Sequence, residues 1–448
     1  MTGSIAGAKD NRQAFAVLWF GQFVAVGGLT TVVPVLPFYL AGLGVPSAAV
    51  PWWTSLALAA PAAAQFVSGP LWGRIGDRYG RKPMVVRAQL GLAVALGLMA
   101  WAETAAQFVV FRFVQGLFGG VVSANAAFAG TMAREEHQGR TFGGLMSATA
   151  AGSLAGPLVG SAVAVGFGLD VLFICVATLM VLSALLSLCA LREATTLSGK
   201  GEAAPTTEDL SVRGGARLLW RDRYLRRMLV GGLAAQSGVY ALVVIFAPRI
   251  AEITDSVRTA TLWIGVLQAV TWAATLVGGM WWGHRNDRGS PQRNFAFAAL
   301  GCGLAVALQA VPGEPGWLTP LRLLQGFCFA ALLPSIQHLV SRGTPFSGRG
   351  TCLALTMSVL GFGQVLGPLF GAAVAGLGHS AWQFCGLGLL FVGAAALAAA
   401  RPRPWRATLS PVPSRSDGTH VGSGPQPASR SHPEKKDHMS VRAGRSIR

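Results

Sequence analysis

Charge is scarce in this chain, and where it interrupts apolar sequence it does so in patterned stretches. Gly69 to Lys82 reads GPLWGRIGDRYGRK, with Arg74, Asp77, Arg78, Arg81 and Lys82 set among Gly73, Gly76 and Gly80. Apolar sequence runs in from Trp52 and out again from Met84. So short a stretch between two membrane-length runs is a tight turn at a bilayer surface, on the side that tolerates arginine. Small glycines let helix ends approach closely, and a carboxylate near a helix N-terminus is stabilised by the dipole there. Arg112 is a second such residue, about five residues inside an apolar run and followed by Gln115 and Gly116. An arginine at membrane depth is costly and normally faces a cavity or a partner, although both Arg112 and Arg322 stand near enough to a span end to snorkel. Gln115, three residues on, shares its helix face. Gly152, Gly156 and Gly160 form a third pattern, stepping along one helical face with Pro157 among them. That spacing packs two helices backbone to backbone, and the proline removes a hydrogen bond and bends its helix.

These patterns recur. Gly73, Asp77 and Arg78 map onto Gly283, Asp287 and Arg288, and Arg112, Gln115 and Gly116 onto Arg322, Gln325 and Gly326, all at an offset of 210. Gly156, Pro157 and Gly160 map at 211 onto Gly367, Pro368 and Gly371. Three motifs with one spacing make the chain a tandem repeat, and repeats of this size in an apolar chain mark secondary transporters.

GRIGDRYGRK resembles the loop between helices two and three of the major facilitator superfamily. RFVQG is similar to that superfamily's fourth-helix motif, and GSLAGPLVG to its fifth-helix exporter motif. GLTTVVPVLP, from Gly28 to Pro37, is similar to the first-helix motif of the twelve-helix drug:proton antiporters, the multidrug efflux permeases. The resemblance covers roughly residues 14 to 400. It implies an all-α membrane protein of twelve transmembrane helices in two pseudo-symmetric six-helix bundles. By resemblance, Gly73, Asp77, Arg78, Gly80 and Arg81, with Asp287 and Arg288, form a cytoplasmic latch that closes when the cavity faces outward. Asp77 would pair with nearby bases and with a helix N-terminus of the other half. Arg112 and Gln115, repeated as Arg322 and Gln325, would belong to the proton and substrate pathway. Gly152, Gly156, Pro157 and Gly160, with Gly367 and Pro368, would be the packing motif found in exporters. The activity implied is export of small organic molecules by proton antiport and alternating access.

Composition agrees. Of 448 residues, 52% are hydrophobic and 12% charged, against about a quarter charged in soluble domains. A spanning helix needs about 20 apolar residues, and the pattern predicts spans near 14–40, 52–73, 84–101, 107–132, 141–167 and 171–191. The second half predicts 226–250, 260–282, 294–311, 317–341, 351–376 and 382–400. The organisation expected is a bundle over 1–191, a cytoplasmic linker over 192–225, a second bundle over 226–400 and a disordered basic tail over 401–448. Lys and Arg crowd the short loops of one side, while Glu103, Asp170, Glu252, Asp255 and Glu314 lie on the other. This asymmetry places both termini in the cytoplasm and the chain in the cell inner membrane. Trp72, Trp281 and Trp282 read as part of an interfacial belt. The linker's end, RLLWRDRYLRR, suits an amphipathic helix on the lipid surface and equally a solvated linker.

The formal charge of +18 is parcelled into loops rather than spread over a face with aromatics for stacking, so nucleic acid is not a partner. All six cysteines fall in apolar runs without metal spacing and read as small core residues. No convergent nucleophile and base or metal cluster is present, so no enzyme, cofactor or metal is expected. Gln22 and Asn125 are polar groups that either face the passage or bond between helices. No carboxylate lies within the first or fourth span, where many exporters of cationic drugs carry one. A cavity with arginines and no acids favours neutral or anionic molecules. The expected partners are therefore a small molecule of that kind, protons and lipid, acting on a monomer. A siderophore or other metabolite exporter is the alternative to multidrug efflux, and an uptake symporter a weaker one.

Overall fold

The computed structural model describes residues 2–132, 138–192, 212–344 and 348–400. The expected tail and most of the linker lie outside them. The described residues are helical and contain no strand. In order they form α1 (Thr2–Gly42), α2 (Val50–Tyr79), α3 (Arg81–Ala100), α4 (Ala105–Phe118), α5 (Val121–Met132), α6 (Gln138–Phe167) and α7 (Leu169–Ala190). A short α8 (Val212–Arg221) leads to α9 (Arg223–Glu252), α10 (Val257–Arg288), α11 (Pro291–Leu308), α12 (Leu318–Gly343), α13 (Arg349–Gly361), α14 (Gly363–Ala375) and α15 (Ser380–Ala399). Helices are the outcome that lipid imposes, because each satisfies its own backbone groups.

Among the described residues, ten stretches are long and apolar enough to cross a membrane. They are α1 from Arg12, α3, α4 with α5, α6, α7, α9, α10, α12 with the turn before it, α13 with α14, and α15. α2 packs beside α4 and α14, and α11 beside α12 and α15, which completes twelve spans. The chain is thus a multi-pass membrane protein. Helices α1 to α7 share one core around Leu18, Leu36, Phe108, Phe128 and Phe173. Helices α9 to α15 share another around Phe295, Phe384 and Phe391.

The repeat seen in the sequence is a repeat of contacts. Gly116 leaves no room for a Cβ against Pro61, nor does Gly326 against Thr271, and both partners are also 210 apart. Trp72 Nε1 donates to Leu117 O at 2.6 Å and Trp282 Nε1 to Phe327 O at 2.9 Å. These indoles tie α2 to α4 and α10 to α12. Each indole N–H is thus committed to a helix carbonyl; Trp282 is buried at 6% exposure and Trp72 half-buried, while Trp281 stays exposed.

Other boundaries depart from expectation. The fourth span breaks at Gly119 and Gly120, the latter at φ +96°, a conformation that suits glycine. The carbonyls freed there are collected by Trp72 and by Arg87, whose NH1 reaches Phe118 O at 3.2 Å. The eleventh span is interrupted between α13 and α14. α2 continues to Tyr79, so most of the charged stretch is helix and the turn is Gly80 alone, at φ +100°. The linker's end does form a helix, α8, and α9 begins at Arg223, where Asp222 caps it by accepting from Tyr224 N and Leu225 N. Of the cysteines, Cys302, Cys328 and Cys352 are buried as expected, whereas Cys175, Cys189 and Cys385 lie on exposed faces.

Candidate functional site: a gated passage between two bundles

The two cores meet along α6 with α10, α2 with α14, and α1 with α9. Ser55 Oγ near the start of α2 donates to Pro368 O at 2.5 Å. Gly265 near the start of α10 lies against Pro157 O and Ser161 with no space for a Cβ. Both helices run from that shared end to the other, so Asp77 and Asp287 in their last turns stand at one and the same end. Phe66 and Phe362 meet edge-on with centroids 5.0 Å apart, about halfway along α2.

At the Asp77 end the charged turns are open. Asp77 is 65% exposed and pairs with Arg81 of its own turn at 2.5 Å. Asp287 is 73% exposed, with His338 Nδ1 at 3.9 Å and Arg342 donating to its backbone O at 3.1 Å. Arg78 packs beside Tyr79, and Arg288 is exposed. A Cβ at Gly76 would lie 3.0 Å from Met84 Cγ, whereas a Cβ at Gly73 or Gly283 would meet nothing within 4 Å. Nearest-neighbour crowding thus belongs to Gly76, while Gly73 and its repeat partner face open space. At the opposite end lies an open pocket of about 750 Å³, walled by Tyr39 and Trp101 and carrying Glu103, Asp170 and Arg258.

Arg112 and Arg322 are each 3% exposed. Arg112 donates from Nε to Ala57 O at 2.9 Å and from NH1 to Gln115 Oε1 at 2.8 Å. Arg322 repeats the second bond, to Gln325 Oε1 at 3.0 Å. It then differs: its guanidinium lies over the Phe246 ring, 3.4 Å from the centroid, and its Nε has no hydrogen-bond partner among the described residues. Gln309 adds a second donor to Gln325 Oε1 at 2.9 Å. Neither arginine is paired with a carboxylate among the described residues. Both are buried against neighbouring helices, so neither snorkels to a surface.

The helix-packing motif is tightly engaged. Gly152 and Gly156 of α6 lie on Phe23 and Gly27 of α1, and Thr31 Oγ1 donates to Gly156 O at 2.5 Å. Gly367 repeats this on Ser237 of α9, where a Cβ would lie 2.5 Å from Ser237 O. Pro157 and Pro368 sit at the two bundle contacts described above. Gln22 and Asn125 are both 0% exposed. Gln22 Nε2 donates to Leu145 O and Thr149 Oγ1, both at 2.8 Å, and Asn125 Nδ2 to Leu18 O at 3.1 Å. The structure places them between α1, α5 and α6 rather than on an open wall. Sequence reading missed Thr30, Thr31 and Gln309. The signal available for the two threonines was their place in the Gly28–Pro37 motif, one helix turn from Gly27.

Two repeat-related bundles with an arginine buried in each and a charged turn at one shared end define a membrane transporter. The model of the Major Facilitator Superfamily matches residues 18–312 and 228–436. The chain is 34% identical over 381 residues to the staphyloferrin B transporter of Staphylococcus aureus, covering 85% of this chain and 90% of that one. It is 28% identical to the multi-drug resistance efflux pump PmrA of Streptococcus pneumoniae, over 82% of this chain and 90% of the other. Among solved structures, a bacterial homologue of the human lysosomal transporter Spinster, inward-facing and unoccupied, superposes with a TM-score of 0.70 at 14% identity, over 87% and 95% of the two chains. The protein belongs to the major facilitator superfamily, whose members carry small molecules across membranes and are not enzymes.

Proposed function

We propose that the protein exports small anionic organic molecules, of the metal-chelating siderophore type, from the cytoplasm in exchange for protons. One observation carries this reading: among the described residues, the two arginines buried in the spans have only neutral partners. Burying an ionised group costs several kcal/mol unless it is compensated. Here glutamine oxygens, a carbonyl and a ring supply part of that compensation, and an anion arriving between the bundles supplies the rest. Among the described residues no carboxylate competes for either guanidinium. The likeness to the staphyloferrin B transporter supports the same class of cargo.

Outward direction is supported by the glycine and proline packing of α6 on α1. In this reading the Asp77 end is cytoplasmic and open, and substrate enters there. Closure brings Gly73 and Gly283, which now face empty space, against the opposite bundle while the pocket at Tyr39 and Trp101 widens for release. Arg112 takes part in proton exchange, as the resemblance implies. Broad drug efflux is the second reading, favoured by the likeness to PmrA. The test is to supply cells with a labelled polycarboxylate chelator. Cells lacking the protein should retain more label than cells expressing it; equal or lower retention overturns export.

A further inference from the structure

The lipid-facing flank of the second bundle carries an apolar groove with a single charge at its mouth. Its walls are Ala234 of α9 and Leu389, Leu390, Gly393 and Leu397 of α15, enclosing about 560 Å³, and Arg227 stands at one end beside Ala400. That end is the Asp287 end: Tyr224 OH donates to Gln292 at 3.0 Å, and Gln292 in turn to Ala398 O. From Leu389 to Ala400 the groove follows α15 for roughly 16 Å at about 1.5 Å per residue. This is about half of a ~30 Å hydrocarbon core, the depth of one leaflet.

Among the described residues that lead in the chain to Arg227, the charge is one-sided. Arg213, Arg217 and Arg221 recur at every fourth residue of α8, all exposed, and Arg223 and Arg227 are exposed in the first turns of α9. The one acid between them, Asp222, is engaged in capping α9. α8 is held against α13 and α9, with Leu219 inserted in the second core and Gly215 against Thr351 and Leu355. Trp220 is 54% exposed, and an exposed indole suits the headgroup level. A leaflet-deep apolar slot that ends at Arg227, which has no acidic partner among the described residues, matches an amphiphile with acyl chains and a negative head.

We infer that the groove between α9 and α15 binds an anionic phospholipid of the leaflet bordering the Asp287 end. An acyl chain lies along Leu389, Gly393 and Leu397, and the phosphate rests on Arg227. This stands apart from the transport reading, since no residue involved lines the passage.

The test uses the purified full chain in detergent, titrated with phosphatidylglycerol or phosphatidylcholine of matched chains and followed by native mass spectrometry. An arginine near an anionic surface contributes about 1 kcal/mol, so phosphatidylglycerol should bind about fivefold more tightly. Arg227→Gln should abolish that preference, and Arg258→Gln at the opposite end should leave it intact. Gly393→Leu, where a Cβ meets open space, should weaken both lipids by filling the slot. If it fails to fold, Arg227→Gln decides alone. Equal affinity of the native chain for the two lipids, a preference that survives Arg227→Gln, or displacement of the lipid by inorganic phosphate would overturn the assignment.

Discussion

Replacing Gly152 by alanine probes the α1–α6 contact on which the exporter motif rests. An added Cβ would lie 2.6 Å from Phe23 O, 3.0 Å from Gly27 N and 3.2 Å from Val26 Cβ. Ordinary carbon–oxygen contact begins at about 3.4 Å, so the helices must part by roughly 0.8 Å. The neighbours are backbone atoms of a packed helix and cannot swing aside. Overpacking of this kind costs about 1–3 kcal/mol. The hydrogen bonds from Thr30 to Gly152 O (3.4 Å) and from Thr31 to Gly156 O (2.5 Å) stretch with it, at about 0.6 kcal/mol each. The sum is about 2–4 kcal/mol. For a bundle of this size each kcal/mol moves the melting temperature by roughly 2–4 °C, so a loss of roughly 4–16 °C is expected. Gly143→Ala in the same helix is the matched control, because its Cβ would meet nothing within 4 Å. Alanine there gains about 0.5–1 kcal/mol of helix preference. Thermal unfolding in detergent, read by size-exclusion chromatography, compares the two. If Gly152→Ala melts with or above Gly143→Ala, close packing at Gly152 is not what holds α1 to α6.

Other expectations follow from the asymmetry of the two halves. Arg112→Lys cannot keep both the Ala57 and the Gln115 bonds, and losing one charged hydrogen bond of about 1.5–3 kcal/mol should cut efflux roughly ten- to a hundredfold. Arg322→Lys gives up no Nε bond, so its efflux should fall several-fold less in the same vesicle assay. Gly73→Leu and Gly283→Leu should fold and melt like the native chain, since both sites face open space, yet lose transport because the Asp77 end cannot close. Asp77→Asn removes an exposed pair worth at most about 1 kcal/mol; membrane expression should be unchanged and efflux abolished, as immunoblot and transport together will show.

The fold was legible because lipid leaves the backbone few options and because the 210-residue offset is carried by residues that only contact can explain. Arg112 with Gln115 and Arg322 with Gln325 could be paired on spacing alone, and the structure bonds both pairs. What escaped was direction around the helix. Spans that are apolar on every side give no periodicity to say whether Gln22 or Asn125 faces a passage or a neighbour, and both turn to neighbours. Trp72 and Trp282 carried the same offset as the motifs, yet a tryptophan near a membrane surface has two good partners, headgroup and carbonyl, and composition does not choose between them. The break at Gly119 and Gly120 was hidden because two glycines in an apolar run are also ordinary helix-packing residues. The turn of Arg322 onto Phe246, in place of the carbonyl that Arg112 finds, depends on a residue of α9 far away in sequence.

The central claim is proton-driven outward carriage of an anion, and everted membrane vesicles test it most directly. With the lumen acidified by respiration or ATP hydrolysis, vesicles bearing the protein should accumulate a labelled polycarboxylate chelator, and collapsing the pH gradient should release it. Accumulation should be lost with Arg112→Gln. Vesicles that take up a cationic dye but no polycarboxylate, or that accumulate the chelator equally without the gradient, would contradict the account.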